Sequence, residues 1–293
     1  MTREAPDPEK TVTGVLELIP VGAIHSSIRK KEDMPLQGVP GTVEIYPDYW
    51  KALDGIESNS HLILLCWMHR GGRDLLVARA RKISPDLPEK GVFALRSPSR
   101  PNPISLSVVR LVKKREGGFL EVDLLDLIDG TPVIDIKPYQ PGWDAVFSAT
   151  THDRSGKILK MGAARYRESL IREAVNYHGE WCSGTAMAVR IGEKITEILG
   201  GDLRRTGISL DPGINPCLAD ALIGITGARP GNRRLTFRRP RSASRKADEI
   251  RFISPGSTCT VSLKPLKLSK EMILTADEED LFSIRLKSRQ NPG

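Results

Sequence analysis

Aromatic residues make up only 5% of the 293 positions, and cysteine occurs four times, at Cys66, Cys182, Cys217 and Cys259. Four widely spaced cysteines with no Cys-x-x-Cys pair rule out a dense disulfide framework and suit a cytoplasmic protein. No apolar run reaches the roughly 18 residues of a transmembrane helix, so no membrane partner is expected. Met1–Lys10 is polar and acidic, which argues against a signal peptide. Several chemistries also lack their motifs. No Gly-x-Gly-x-x-Gly follows a strand, and there is no Walker loop, no His-Glu-x-x-His and no Gly-x-Ser-x-Gly. A nucleotide-like cofactor would therefore have to be held by loops on a β scaffold.

What is present is a net charge of +8 and a hydrophobic fraction of 39%, enough for a core. The positive balance points to a polyanionic partner. It is uneven: Arg229–Lys246 holds eight basic side chains and no acidic one. That run suits either a solvated loop or a nucleic-acid contact.

The length favours two domains. Residues 11–150 read as mainly β. Strands are expected over Val12–Ile24, Thr42–Tyr46, His61–Met68, Leu75–Ala80, Gly91–Leu95, Ser105–Val112 and Phe119–Leu127, with a short helix at Tyr49–Leu53. The unbroken apolar run His61–Met68 predicts burial on both faces. Many short strands with regular turns predict a small antiparallel barrel or sandwich. A polar, non-periodic boundary falls near Ser148–Lys157.

Residues 158–285 read as α+β. Helices are expected over Ile158–Val175, Gly184–Leu199 and Leu218–Thr226. The second carries a Met187, Ile191, Ile195, Leu199 stripe, and Gly200 and Gly227 are stop signals. Leu235–Phe237, Ile250–Ile253 and Cys259–Leu263 read as strands.

The densest chemistry lies in Phe93–Val109, where Pro98, Pro101 and Pro103 brace Arg96, Arg100 and Asn102. Each proline fixes its own φ and biases its predecessor toward extended backbone, so the loop is stiff and non-helical. Rigid guanidinium and carboxamide groups are suited to anions and polar ligands. Met34–Gly41 is a second stiff loop, carrying Gln37. His61 and His69–Arg70 bracket the apolar strand, and both histidines also suit structural roles. Asp129-Gly130 is a turn signal. Asp135 and Lys137 share one strand face, where they also suit a surface ion pair.

These residues carry a resemblance. Arg96-Ser97-Pro98-Ser99-Arg100-Pro101-Asn102-Pro103, then Asp129–Tyr139, with Pro35-x-Gln37, Gly41–Ile45 and Ser60-His61, resemble the TrmO family, also called TsaA-like, over residues 15–147. Ser105 stands where that family has a glycine, and Leu36 where many bacterial members have an arginine. The resemblance implies a small β-barrel methyltransferase, usually a homodimer, that uses S-adenosylmethionine. Its substrate would be tRNA bearing threonylcarbamoyladenosine beside the anticodon, methylated on the exocyclic nitrogen. It implies cofactor binding by Gln37, His61, Arg96, Ser97, Arg100, Asn102, Asp126, Asp129 and Thr131, with Asp135, Lys137 and Tyr139 at the reacting base. A small-molecule methyl acceptor, or cofactor sensing without transfer, are the other readings.

In the second domain His178 and Cys182 are four apart, and Cys217 follows at the start of a predicted helix. Near helix N-termini the dipole favours thiolate. The three suit ligands of a Zn²⁺-type site, and equally two inert buried cysteines with a capping histidine. His178–Gly184, Cys217-x-x-Asp220-Ala221 and Gly231–Phe237 resemble the FmdE-like domain over residues 165–262, with Glu180 and Ser183 where its motif has histidine and proline.

Overall fold

The computed structural model describes residues 15–81, 83–151, 154–211, 214–237, 249–265 and 267–288. Residues 238–246 of the basic run and residues 12–14 of the first expected strand lie outside them.

Residues 22–138 close an antiparallel barrel. Its strands are β1 (Gly22–Ser26), β2 (Val39–Ile45), β3 (His61–Trp67), β6 (Ile104–Arg115), β7 (Phe119–Leu125) and β8 (Pro132–Pro138), in the cyclic order β1-β2-β7-β6-β3-β8. A two-residue ladder, β4 (Val77–Ala78) with β5 (Lys90–Gly91), lies between β3 and β6 in the chain. The barrel expectation holds. Closure requires one face of every strand to point inward, and the interior of so small a barrel is filled by side chains. Ile24, Val43, Leu62, Leu64, Cys66, Val109, Leu120 and Val133 are all fully buried there.

Closure also corrects the reading of His61–Met68. Burial along β3 alternates, and Ile63, Leu65 and Trp67 on the outer face are only half-buried. A continuous apolar run does not distinguish a two-faced core strand from a barrel wall. The strands expected over Leu75–Ala80 and Gly91–Leu95 shrink to the two-residue ladder, and Val92–Ala94 turns as a 3₁₀ helix. Residues 15–21 form no strand; β1 begins only at Gly22, and Val15 and Leu16 are exposed. Tyr49–Leu53 lies within a 3₁₀ helix, Pro47–Leu53.

After a one-turn helix, α1 (Pro141–Asp144), the second half is α+β, as expected. It contains α2 (Arg154–Lys160), α3 (Ala163–His178), α4 (Ser183–Leu199), β9 (Gly207–Leu210), α5 (Pro216–Thr226), β10 (Leu235–Phe237), β11 (Glu249–Ser254), β12 (Ser257–Leu263), α6 (Lys270–Thr275), α7 (Glu278–Leu281) and β13 (Phe282–Ser288). The sheet order is β10-β9-β11-β12-β13, parallel only between β10 and β9. The helix expected over Ile158–Val175 is two helices, because Gly162 adopts extended backbone (ψ 151°) as the N-cap of α3. Tyr166, Leu170 and Ala174 of α3 pack with Ile191 and Ile195 of α4 and Leu222 and Ile225 of α5. Met187 and Leu199 border that core, so the α4 stripe faces it as predicted. Each fully buried Leu or Ile contributes about 1.5–3 kcal/mol.

Among the described residues no helix is long and apolar enough to cross a membrane.

Candidate functional site

The loop before β2 and the end of β7 meet at one end of the barrel. The Gly38 N–H donates to the Pro35 carbonyl (3.2 Å), which closes a turn. Gly38 has φ +81°, and a Cβ there would lie 2.6 Å from the Leu124 carbonyl carbon. Leu124 itself has φ 63°, in the left-handed region that a bulky residue rarely enters. Its N–H donates to Asp123 Oδ1 (2.9 Å). Two residues on, Asp126 Oδ1 accepts the Ser107 hydroxyl at 2.5 Å. Ser107 is a buried polar side chain on the inward row of β6, between Ser105 and Val109. Gln37 Oε1 is buried and has no hydrogen-bond partner among the described residues. Buried acceptors are almost always paired, so an orphan at a loop tip marks a place where an external donor fits.

The second domain reaches into this end. Arg172 of α3 donates from Nη1 to the carbonyls of Gln37 (2.9 Å) and Leu124 (3.2 Å), and from Nη2 to that of Val108 (3.4 Å). Burial pushes its pKa down; Asp126 opposes the shift and Arg96 adds to it, so both charges act on Arg172. One turn earlier Glu168 accepts the Leu36 N–H (3.0 Å) and is paired to Arg165 (3.0 Å). Of the expected set, Gln37 thus contacts a residue that sequence reasoning missed, and the Asp126 and Arg96 charges act on it. Ser107 was missed as well, although a polar residue on an otherwise apolar inward row was a legible signal.

The Pro-rich loop is braced from within. Arg100 donates to the carbonyls of Ser97 (2.9 Å), Val92 (2.8 Å) and Leu95. Ser97 Oγ accepts the Ser99 N–H (3.2 Å), and Ser99 Oγ accepts the Gly72 N–H (3.3 Å). The Asn102 carbonyl accepts the Ile104 N–H (2.8 Å), and Asn102 is exposed, as is Arg96. Asp129 Oδ1 accepts the Ser26 N–H (3.1 Å), while the Thr131 hydroxyl donates to the Ile128 carbonyl (2.6 Å), so both shape the turn before β8.

The remaining expected residues lie on the outer wall. Directly opposed residues share a face, and Asp135 pairs with Leu65 and Lys137 with Ile63. Lys137 Nζ and Asp135 Oδ2 are 2.6 Å apart, both substantially exposed. His61, at the start of β3, stacks edge-on to Tyr139 (6.4 Å between centroids). Burial, then the Arg110 charge, pushes the His61 pKa below its ordinary value.

A second cluster joins His178 and Cys182, four residues apart, to Cys217, 35 residues further along the chain but close in space. His178, Cys182 and Cys217 bring one ligand atom each within 4.8 Å of one another. His178 ends α3, Cys182 is the N-cap of α4, and Cys217 lies in the first turn of α5. The two helix starts abut so closely that a Cβ on Gly184 would meet Cys217 Cβ at 2.5 Å. His178 Nδ1 lies 3.3 Å from Asp220 Oδ2, while Nε2 is buried and has no hydrogen-bond partner among the described residues. Burial raises the Cys182 thiol, but the Thr185 and Gly184 N–H groups and the Thr185 hydroxyl outweigh it and lower its pKa. Burial and the neighbouring Cys182 charge push the Cys217 thiol up. One imidazole nitrogen and two sulfurs, with a carboxylate on the other ring nitrogen, are a donor set that fits Zn²⁺.

Residues 23–145 match the tRNA-methyltransferase O N-terminal domain, and residues 177–283 match the domain described as FmdE, molybdenum formylmethanofuran dehydrogenase operon. A probable S-adenosyl-L-methionine-binding protein of Archaeoglobus fulgidus is 35% identical over 76% of this chain and 61% of its own length. This chain thus spans under two thirds of that relative. A probable S-adenosyl-L-methionine-binding protein of Pyrococcus abyssi is 44% identical over 43% of this chain and 68% of its own length. The tRNA (adenine(37)-N6)-methyltransferase of Mus musculus is 37% identical over 36% of this chain and 25% of its own length.

Proposed function

Because this chain belongs to the tRNA-methyltransferase O family, with an FmdE-type domain following the barrel, we propose that it methylates the exocyclic nitrogen of threonylcarbamoyladenosine beside a tRNA anticodon. S-adenosylmethionine supplies, when bound, a methyl group already activated on a sulfonium. The protein's work is then to bind, orient and exclude water. The observation that carries the reading is the buried, unpaired Gln37 Oε1 at the barrel end, within the residues that match the family. Gln37 and Asp126 offer acceptors to an amine or a ribose, and the exposed Arg96 guanidinium suits a carboxylate. His61, Ser97, Arg100, Asn102, Asp129 and Thr131 complete the cofactor side by binding or by shaping its loops. Lys137, held by Asp135, and Tyr139, held against His61, stand ready for the base.

In this reading the protein is cytoplasmic and works as a homodimer. Ile104 and Leu106, exposed on the outer wall of β6, offer an apolar surface to a second copy. His178, Cys182 and Cys217 hold zinc. A second reading, cofactor binding without methyl transfer to tRNA, is supported by the archaeal relatives, whose names claim binding alone.

The test is transfer of labelled methyl from S-adenosylmethionine to tRNA with and without the threonylcarbamoyl group. Label confined to the modified tRNA, with binding that weakens steeply as salt rises, is the expected result. Saturable cofactor binding with no label in tRNA would overturn the first reading in favour of the second.

A further inference from the structure

Three carbonyls at the barrel end share one cation, and the barrel does not supply it. The Gln37, Leu124 and Val108 carbonyls come from the loop before β2, the end of β7 and the middle of β6. Each belongs to a segment that carries a polar side chain of the proposed site. Gln37 contributes its own amide, Leu124 precedes Asp126 by two residues, and Val108 follows Ser107, the hydroxyl partner of Asp126. The same spot contains backbone held against its preferences: Leu124 at φ 63°, pressed against Gly38 at φ +81°. A non-glycine residue in that region persists only where its surroundings over-determine it, and such positions cluster at ligand sites. Without Arg172 the three carbonyls would lose their shared donor; the Ser107–Asp126 hydrogen bond and the Val39–Leu125 pairing would remain, but each of these joins only two of the three segments.

We propose that Arg172, a residue of the second domain, is a positioning residue of the cofactor site in the first. The proposal rests on the reading of the barrel as a site for S-adenosylmethionine. Arg172 acts through Gln37 and Asp126: its fork sets the loop before β2 against the end of β7, so that the unpaired Gln37 oxygen and the Asp126 carboxylate face the ligand together. A lysine at this position presents a point charge and cannot reach three carbonyls from a planar fork.

The experiment is calorimetric titration of the full chain with S-adenosylmethionine, in the unaltered protein and in Arg172→Ala, Arg172→Lys and Arg167→Ala. Arg167 is paired to Glu193 within the second domain and controls for a general loss of stability. The expected result is a dissociation constant raised roughly tenfold or more in Arg172→Ala, partial recovery in Arg172→Lys, and no change in Arg167→Ala. In turnover, KM for the cofactor should rise by a larger factor than kcat falls. Unaltered affinity in a folded Arg172→Ala protein would overturn the proposal and leave the functional reading standing. If the alanine variant does not fold, wild-type affinity in Arg172→Lys overturns it equally. An unaltered protein that binds no S-adenosylmethionine overturns both.

Discussion

Gly38 is the residue on which the barrel end turns. Its positive φ is open to glycine and costly to other residues, and its Cα faces the Leu124 backbone with no room for a methyl group. Gly38→Ala therefore meets two penalties, a strained φ and a collision with backbone that has no flexible end to yield. The expected loss exceeds about 1 kcal/mol, seen as a lower denaturation midpoint, together with weaker binding of S-adenosylmethionine. A Gly38→Ala protein as stable as the parent would mean that the loop before β2 is free to move away from β7. Arg100 illustrates the same scale differently. Its sequence context points to a ligand-binding guanidinium, and its hydrogen bonds go to the carbonyls of Ser97, Val92 and Leu95. A proline-rich segment has few backbone N–H groups of its own, so its carbonyls need a donor, and a guanidinium can serve several at once.

Among the elements, α3 and α5 approach each other closely. Gly224 of α5 sits against Tyr177 and the Glu173 carbonyl, where a Cβ would come within 2.6 Å and 2.8 Å. Gly224→Val should drive the helices apart and cost about 1–3 kcal/mol by overpacking. Thermal unfolding would report it as a lower midpoint, and an unmoved midpoint would refute so close an approach. The helices themselves were legible because their apolar stripes repeat at three and four residues and because Gly200 and Gly227, both left-handed, end them. The strands β6 and β7 were legible from length and alternation. β9 was not: four residues, three of them buried in succession, give no period to detect. Nor was the break at Gly162, since only the backbone angle distinguishes an N-cap glycine from one inside a helix. The cysteine cluster was legible as three candidate ligands, His178, Cys182 and Cys217, but their meeting depends on α4 and α5 abutting at Gly184, a tertiary fact that spacing does not carry. Arg172 had no signal at all, being one more basic residue on a helix rich in them.

At the scale of the whole molecule the two cores are separate, one inside the barrel and one between helices and sheet. Zinc would stabilise the second through groups that close α3, α4 and α5 onto each other. The protein as purified should contain stoichiometric zinc by elemental analysis, and Cys217→Ser should lose most of it along with stability. Full zinc retention in that variant would remove Cys217 from the site. A single rod, α3, ends in His178 and six residues earlier carries Arg172, a span of about 9 Å along the axis. Whatever binds at either end leans on the same helix. Any coupling carried by that helix would be reciprocal, each ligand changing the affinity of the other by the same factor whichever is added first.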